Sequence, residues 1–137
     1  MTKRMPCVSS RTTDMHRLLL FLPVLFGLSA EAQLLSQTEL DTVRTYRSLA
    51  RALEHPDSVY RLDLSHQKLR EVPEDVRKLK NLNALDLGRN KLKDLPGWTN
   101  ELQYMQEFSA GRNKFTEIPN GICQWKHLKR LDLHQRS

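Results

Sequence analysis

Catalysis needs nucleophiles, bases or ligands held close together, and the spacing in this sequence offers none. The histidines are His16, His55, His66, His127 and His134, scattered with no metal-ligand spacing to Cys123 or to one another. No phosphate-cradling G-x-x-x-x-G-K, no G-x-G-x-x-G, no G-x-S-x-G and no H-E-x-x-H occurs. Cys123, set between Ile122 and Gln124-Trp125, reads as a half-buried packing thiol rather than a nucleophile. The residues therefore predict no enzyme, no metal and no cofactor.

What recurs instead is charge and amide chemistry at a fixed interval of 23 residues. Asp63, Asp86 and Asp132 share one position of the repeat, with Ser109 breaking the series. His66, Arg89 and Arg112 share another, and Arg61, Glu107 and Arg130 fall on a third, with Ala84 between them. Gln67, Asn90 and Asn113 form an amide series of their own. Charged side chains repeated along one face suit recognition of another macromolecule. Arg89 and Arg112 are the expected anchors, because Arg is enriched where binding energy concentrates. The acidic and basic columns stand side by side, so each is also expected to compensate the other. A carboxamide supplies an acceptor and two donors on a short stem, which fits it to satisfy buried backbone groups.

The elements that must position these residues follow from the apolar pattern. Segments beginning at Val59, Leu82, Met105 and Leu128 align without a gap, each 23 residues after the last. Every full unit has apolar residues at equivalent places, including the pairs Leu62/Leu64, Leu85/Leu87 and Phe108/Ala110, and Pro73, Pro96 and Pro119 sit at one position. The L-x-L pairs predict short strands with alternate side chains inward. Pro, which has fixed φ and no amide donor, suits a return segment that feeds no ladder. Thr99 stands where the other units have Val76 and Ile122, with Gly97-Trp98 beside it, so the middle return segment is expected to be the most irregular.

A 20–29-residue period written L-x-x-L-x-L-x-x-N-x-L is a repeat signature. From residue 59 to 137 the sequence resembles the leucine-rich-repeat family, in its 23-residue form with L-P-x-x-I in the second half. The resemblance implies an α/β solenoid with a short parallel sheet on its concave face, in units 59–81, 82–104 and 105–127 and a partial unit 128–137. In that fold Gln67, Asn90 and Asn113 are internal struts. Arg136 stands where a fourth strut belongs.

Such a stack needs its ends covered. Residues 33–58 read as an N-terminal capping helix: Ser36 and Glu39 make a capping box, and Leu40, Val43, Leu49 and Leu53 recur at helical spacing from about Gln37 to Glu54. No comparable cover follows residue 128, which suggests a longer array. Residues 1–32 have the three parts of a secretory signal peptide: a basic start, the uncharged run LLLFLPVLFGL, and Ala30-Glu31-Ala32 before the cut. The run is too short for a membrane span, which needs about 20 residues. Met1, Met5 or Met15 is the start. Cleavage after Ala32 removes Cys7, leaving Cys123 alone and no integral membrane span. A secreted or periplasmic location follows.

The net charge is +6, but acids and bases are interspersed, which suits a solvated surface better than a nucleic-acid-binding stripe. The family resemblance implies a non-catalytic role: binding a protein partner through the strand face, by Arg61, Asp63, His66, Asp86, Arg89, Glu107, Arg112 and Arg130. Two alternatives stand beside it. One is a cytoplasmic scaffold of a signalling pathway, since the repeats are similar to those of Ras-associated and Roco-type proteins. The other is the recognition part of a larger enzyme or receptor.

Overall fold

The computed structural model describes residues 34–135. The leader, its cleavage site and Arg136 lie outside them. Chain order runs α1 (Gln37–Thr42), β1 (Thr45–Tyr46), α2 (Leu49–Ala52), then β2 (Arg61–Asp63), β3 (Ala84–Asp86), β4 (Glu107–Ser109) and β5 (Arg130–Asp132). The five strands form one parallel sheet in sequence order. It is an α/β repeat fold. Leu62 pairs with Leu85, Leu85 with Phe108, and Phe108 with Leu131, so the 23-residue period is the strand register itself.

The inward residues of successive units share one core. Leu62, Leu64, Leu85, Leu87, Phe108 and Ala110 are buried in it, as are Leu79, Leu102 and Trp125 from the return segments. Phe108 and Trp125 meet edge to face at 4.9 Å, and the Trp125 indole donates to the Thr99 carbonyl at 2.9 Å. After β3 and β4 the chain bends inward and an asparagine side chain fills the bend. Asn90 Oδ1 accepts from the backbone N–H groups of Gln67 and Leu69, both at 3.0 Å, while its Nδ2 donates to the carbonyls of Leu64 (2.9 Å) and Leu87 (2.8 Å). Asn113 accepts from Leu92 N–H and donates to Leu87 and Ala110 one unit on. Gln67 is exposed and donates to the Arg47 carbonyl instead. At the last bend Gln135, one position before Arg136, accepts from Asn113 N–H at 3.1 Å.

The return segments correct one expectation. Those of the three units are 3-10 turns of five residues each, Glu74–Lys78, Gly97–Glu101 and Asn120–Gln124. The middle one is as regular as the others. Thr99 is buried in the place of Val76 and Ile122, and its hydroxyl donates to the Pro96 carbonyl at 2.7 Å, so the polar atom is satisfied locally. Gly121 permits the close packing of this layer: a Cβ there would lie 2.6 Å from Thr99 Oγ1.

A second correction concerns the N-terminal helix. The continuous helix expected from Gln37 to Glu54 is two short helices separated by a strand. Val43 closes α1 in an extended conformation, and Thr45 and Tyr46 then pair with Arg61 and Leu62, extending the sheet by one strand. The β-branched pair Val43 and Thr45 around Arg44 suits an extended chain. Tyr46, Leu49, Ala52 and Leu53 pack on the first unit's side of the core. Leu40 is buried as well, but apart from that core. Cys123 is disulfide-bonded, not the free packing thiol expected. Among the described residues no helix is long and apolar enough to cross a membrane.

Candidate protein-interaction surface

Alternate strand residues face away from the core, and these carry the charges singled out in the sequence. They divide into three rows across the sheet, and each row behaves differently.

The row at the strand starts is Arg61, Ala84, Glu107 and Arg130. Glu107 is its hub, 7% exposed. Its carboxylate accepts from Arg61 at 3.1 Å, from Gln37 at 2.7 Å, and pairs with Arg130 at 3.1 Å. Arg61 also donates twice to the Leu40 carbonyl, at 3.2 and 3.0 Å. α1 therefore lies against this row. Arg61 and Glu107, expected to face a partner, are engaged within the chain, while Arg130 keeps an exposed side chain.

The middle row is Asp63, Asp86, Ser109 and Asp132. These aspartates do not compensate the neighbouring basic column. Asp63, Asp86 and Asp132 each accept from the backbone N–H two residues on, of Ser65 (2.9 Å), Gly88 (2.7 Å) and His134 (2.9 Å). They tie down the bend that follows each strand, as Asp does in Asx turns. Asp63 has in addition a long pairing to Arg47 at 3.7 Å. A depression of about 380 Å³ lies over these two rows, lined by residues that include Arg47, Asp63, Asp86, Glu107 and Ser109.

The third row, past the strand ends, is His66, Arg89 and Arg112, with His134 beside it. All four are exposed. Among the described residues Arg89 and Arg112 make no ion pair. A groove of about 290 Å³ runs between them and the aspartates, with Ser65, Ser109, Gly88 and Gly111 on its floor. His66, Arg89 and Arg112 have φ of 61°, 56° and 58°. The bend imposes this left-handed conformation, which Gly or Asn adopts more easily and which costs other residues roughly 1 kcal/mol. Arginine is present there in spite of that cost.

Of the residues predicted from the sequence, the structure brings Arg61, Glu107 and Arg130 together as one cluster. His66, Arg89 and Arg112 form a separate line. Sequence reasoning missed Asn83 and Gln106, which are buried and bind the segment before α1. Their signal was available: amide residues at the second position of consecutive units, each directly after the apolar first residue, Leu82 or Met105. Among the described residues no three His, Cys, Asp or Glu side chains gather in a metal-binding group.

No family model matches the chain, and no curated protein matches it. Among solved structures, one similar chain is a protein of Leptospira interrogans, aligned over 69% of this chain at 26% identity with a TM-score of 0.35. It is described as a leucine-rich-repeat protein. The alignment spans 36% of that protein's length, so this chain corresponds to about a third of it.

Proposed function

We propose that the chain is an exported leucine-rich-repeat module, a non-catalytic solenoid that binds an acidic protein partner through the cationic row at the strand ends. One observation carries the reading. Among the described residues Arg89 and Arg112 are exposed and make no ion pair, while the aspartates beside them are committed to backbone N–H groups. Neighbouring parallel strands lie about 4.8 Å apart, so the row offers cations on a rigid frame. Preformed geometry lowers the ordering cost of association. Buried Glu107 and its arginines stabilise the sheet on this reading and contribute little direct contact. Export rests on the leader pattern, and N-terminal sequencing of the mature protein tests it: a start at Gln33 supports export, and a retained leader, which would keep the second cysteine available to the Cys123 disulfide, sinks it.

The binding test is a pull-down with the chain from Gln33, run beside the double variant Arg89→Glu/Arg112→Glu and the control Lys93→Glu. The partner is expected on wild type and on the control and to be absent from the double variant, with all three equally folded by circular dichroism. Retention on the double variant would end the proposal. Duplex DNA bound as tightly as the protein partner would shift the reading to a general polyanion site, with steep salt dependence.

A further inference from the structure

Beneath residues 34–42 the sheet is polar where a core would be apolar. Asn83 is 0% and Gln106 1% exposed, and both lie at the second position of their units. Leu35 N–H donates to Asn83 Oδ1 at 3.1 Å, and Gln106 Nε2 donates to the Leu35 carbonyl at 2.7 Å. Gln106 Nε2 also reaches Asn83 Oδ1 at 2.6 Å. Two side-chain amides thus hold both backbone polar groups of one residue, as an adjacent strand would. Two residues on, Gln37 donates to Glu107, and five residues on, Leu40 buries its side chain while its carbonyl accepts from Arg61.

We propose that Asn83, Gln106, Glu107 and Arg61 form a peptide-binding site on the sheet, with residues 34–42 as its resident ligand. The ligand class is a short peptide of the same chemistry: one extended residue, then a capped helical turn, with an amide side chain two residues on and a leucine five residues on. A partner segment of that pattern enters when the resident one swings out about Val43 and Arg44.

Three features support displacement. The site's own side chains are polar, so water satisfies them when it is empty, whereas an emptied apolar core would not tolerate it. Glu107 pairs with Arg61 and with Arg130, contacts that do not depend on the segment. The resident helix has six residues, too few to be stable alone in water, and Leu40, its one buried residue, is separate from the shared core. Segments held this way open locally while the rest of a fold stays closed.

The test uses a fluorescent peptide of residues 34–42 and the full chain bearing Leu40→Asp, which detaches the resident segment. The detached variant is expected to bind the peptide saturably, and wild type about tenfold more weakly, because a tethered segment competes at high effective concentration. Adding Gln106→Ala to the detached variant is expected to abolish binding. A folded detached variant that ignores the peptide overturns the proposal, as does equal binding by wild type. So does failure of Leu40→Asp to fold, since the segment would then belong to the core. Hydrogen exchange on unaltered protein gives an independent reading: Leu40 and Val43 amides should exchange at least about tenfold faster than those of Leu64 and Leu87. Equal protection overturns it.

Discussion

Asn90 shows what one side chain does in a repeating bend. Its carboxamide serves four backbone groups from two units, and at 7% exposure water cannot replace it. Asn90→Ala is expected to destabilise by about 2–4 kcal/mol, because buried donors and acceptors lose their partners. Asn113 is only half-buried, so Asn113→Ala should lose less, about 1–2 kcal/mol. Urea unfolding of both variants checks this; a larger loss at Asn113 would contradict the burial argument. The amide series at a fixed interval was readable from residue types alone. The work of Asp63, Asp86 and Asp132 was not, since a charge repeated along a face reads as a surface for partners until its hydrogen bonds are seen.

At the scale of elements, α1 and the return segments each carry a test. Glu39 accepts from the hydroxyl and the backbone N–H of Ser36, which holds its carboxyl below the ordinary value of 4.5. A depressed carboxyl stabilises the fold above the ordinary value and loses that contribution as pH falls through the lower, folded one. Lowering the pH below 4.5 should therefore loosen α1, seen as a smaller protection factor of the Leu40 amide relative to its unfolded exchange rate at the same pH. Glu39→Gln, which keeps a side-chain acceptor, should flatten that dependence. An unchanged pH profile in the variant would assign the effect elsewhere. In the return layer, Gly121→Ala forces a Cβ onto Thr99 Oγ1 and should destabilise by about 1–3 kcal/mol. Combining it with Thr99→Ala should recover part of that loss in a double-mutant cycle; strict additivity would show that the two do not touch. The helix expected over residues 37–54 illustrates a limit of periodicity. Leu40, Val43, Leu49 and Leu53 do turn inward or partly so, yet a free edge beside β2 recruits Thr45 and Tyr46 as a strand.

Across the whole molecule, one row of equivalent side chains measures how the stack is covered. Leu62 and Leu85 are 0% and 2% exposed and Phe108 2%, whereas Leu131 on β5 is 43% exposed. Leu85→Ala should cost about 2–4 kcal/mol and Leu131→Ala under about 1 kcal/mol, although the two occupy the same place in the repeat. Denaturation of the pair checks it, and equal losses would mean that β5 is covered in solution. The back of the stack is bridged by Arg77 to Glu101 at 2.7 Å, with Lys80 at 3.4 Å. Pairs this exposed contribute about 0–1 kcal/mol each, so the apolar rows decide the outcome.

By itself the sequence determined the 23-residue period, the register of β2 to β5 and the struts Asn90 and Asn113, because a repeated unit meets a copy of its own environment one turn away. Local residue types then suffice to state the packing. Only the tertiary structure decided where the segment before the repeats would lie. Residues 34–42 have no copy in the chain, and their place depends on Asn83, Gln106 and Glu107, brought together from separate units. That contact divided the outward charges into a cluster satisfied within the chain and an exposed row at the strand ends.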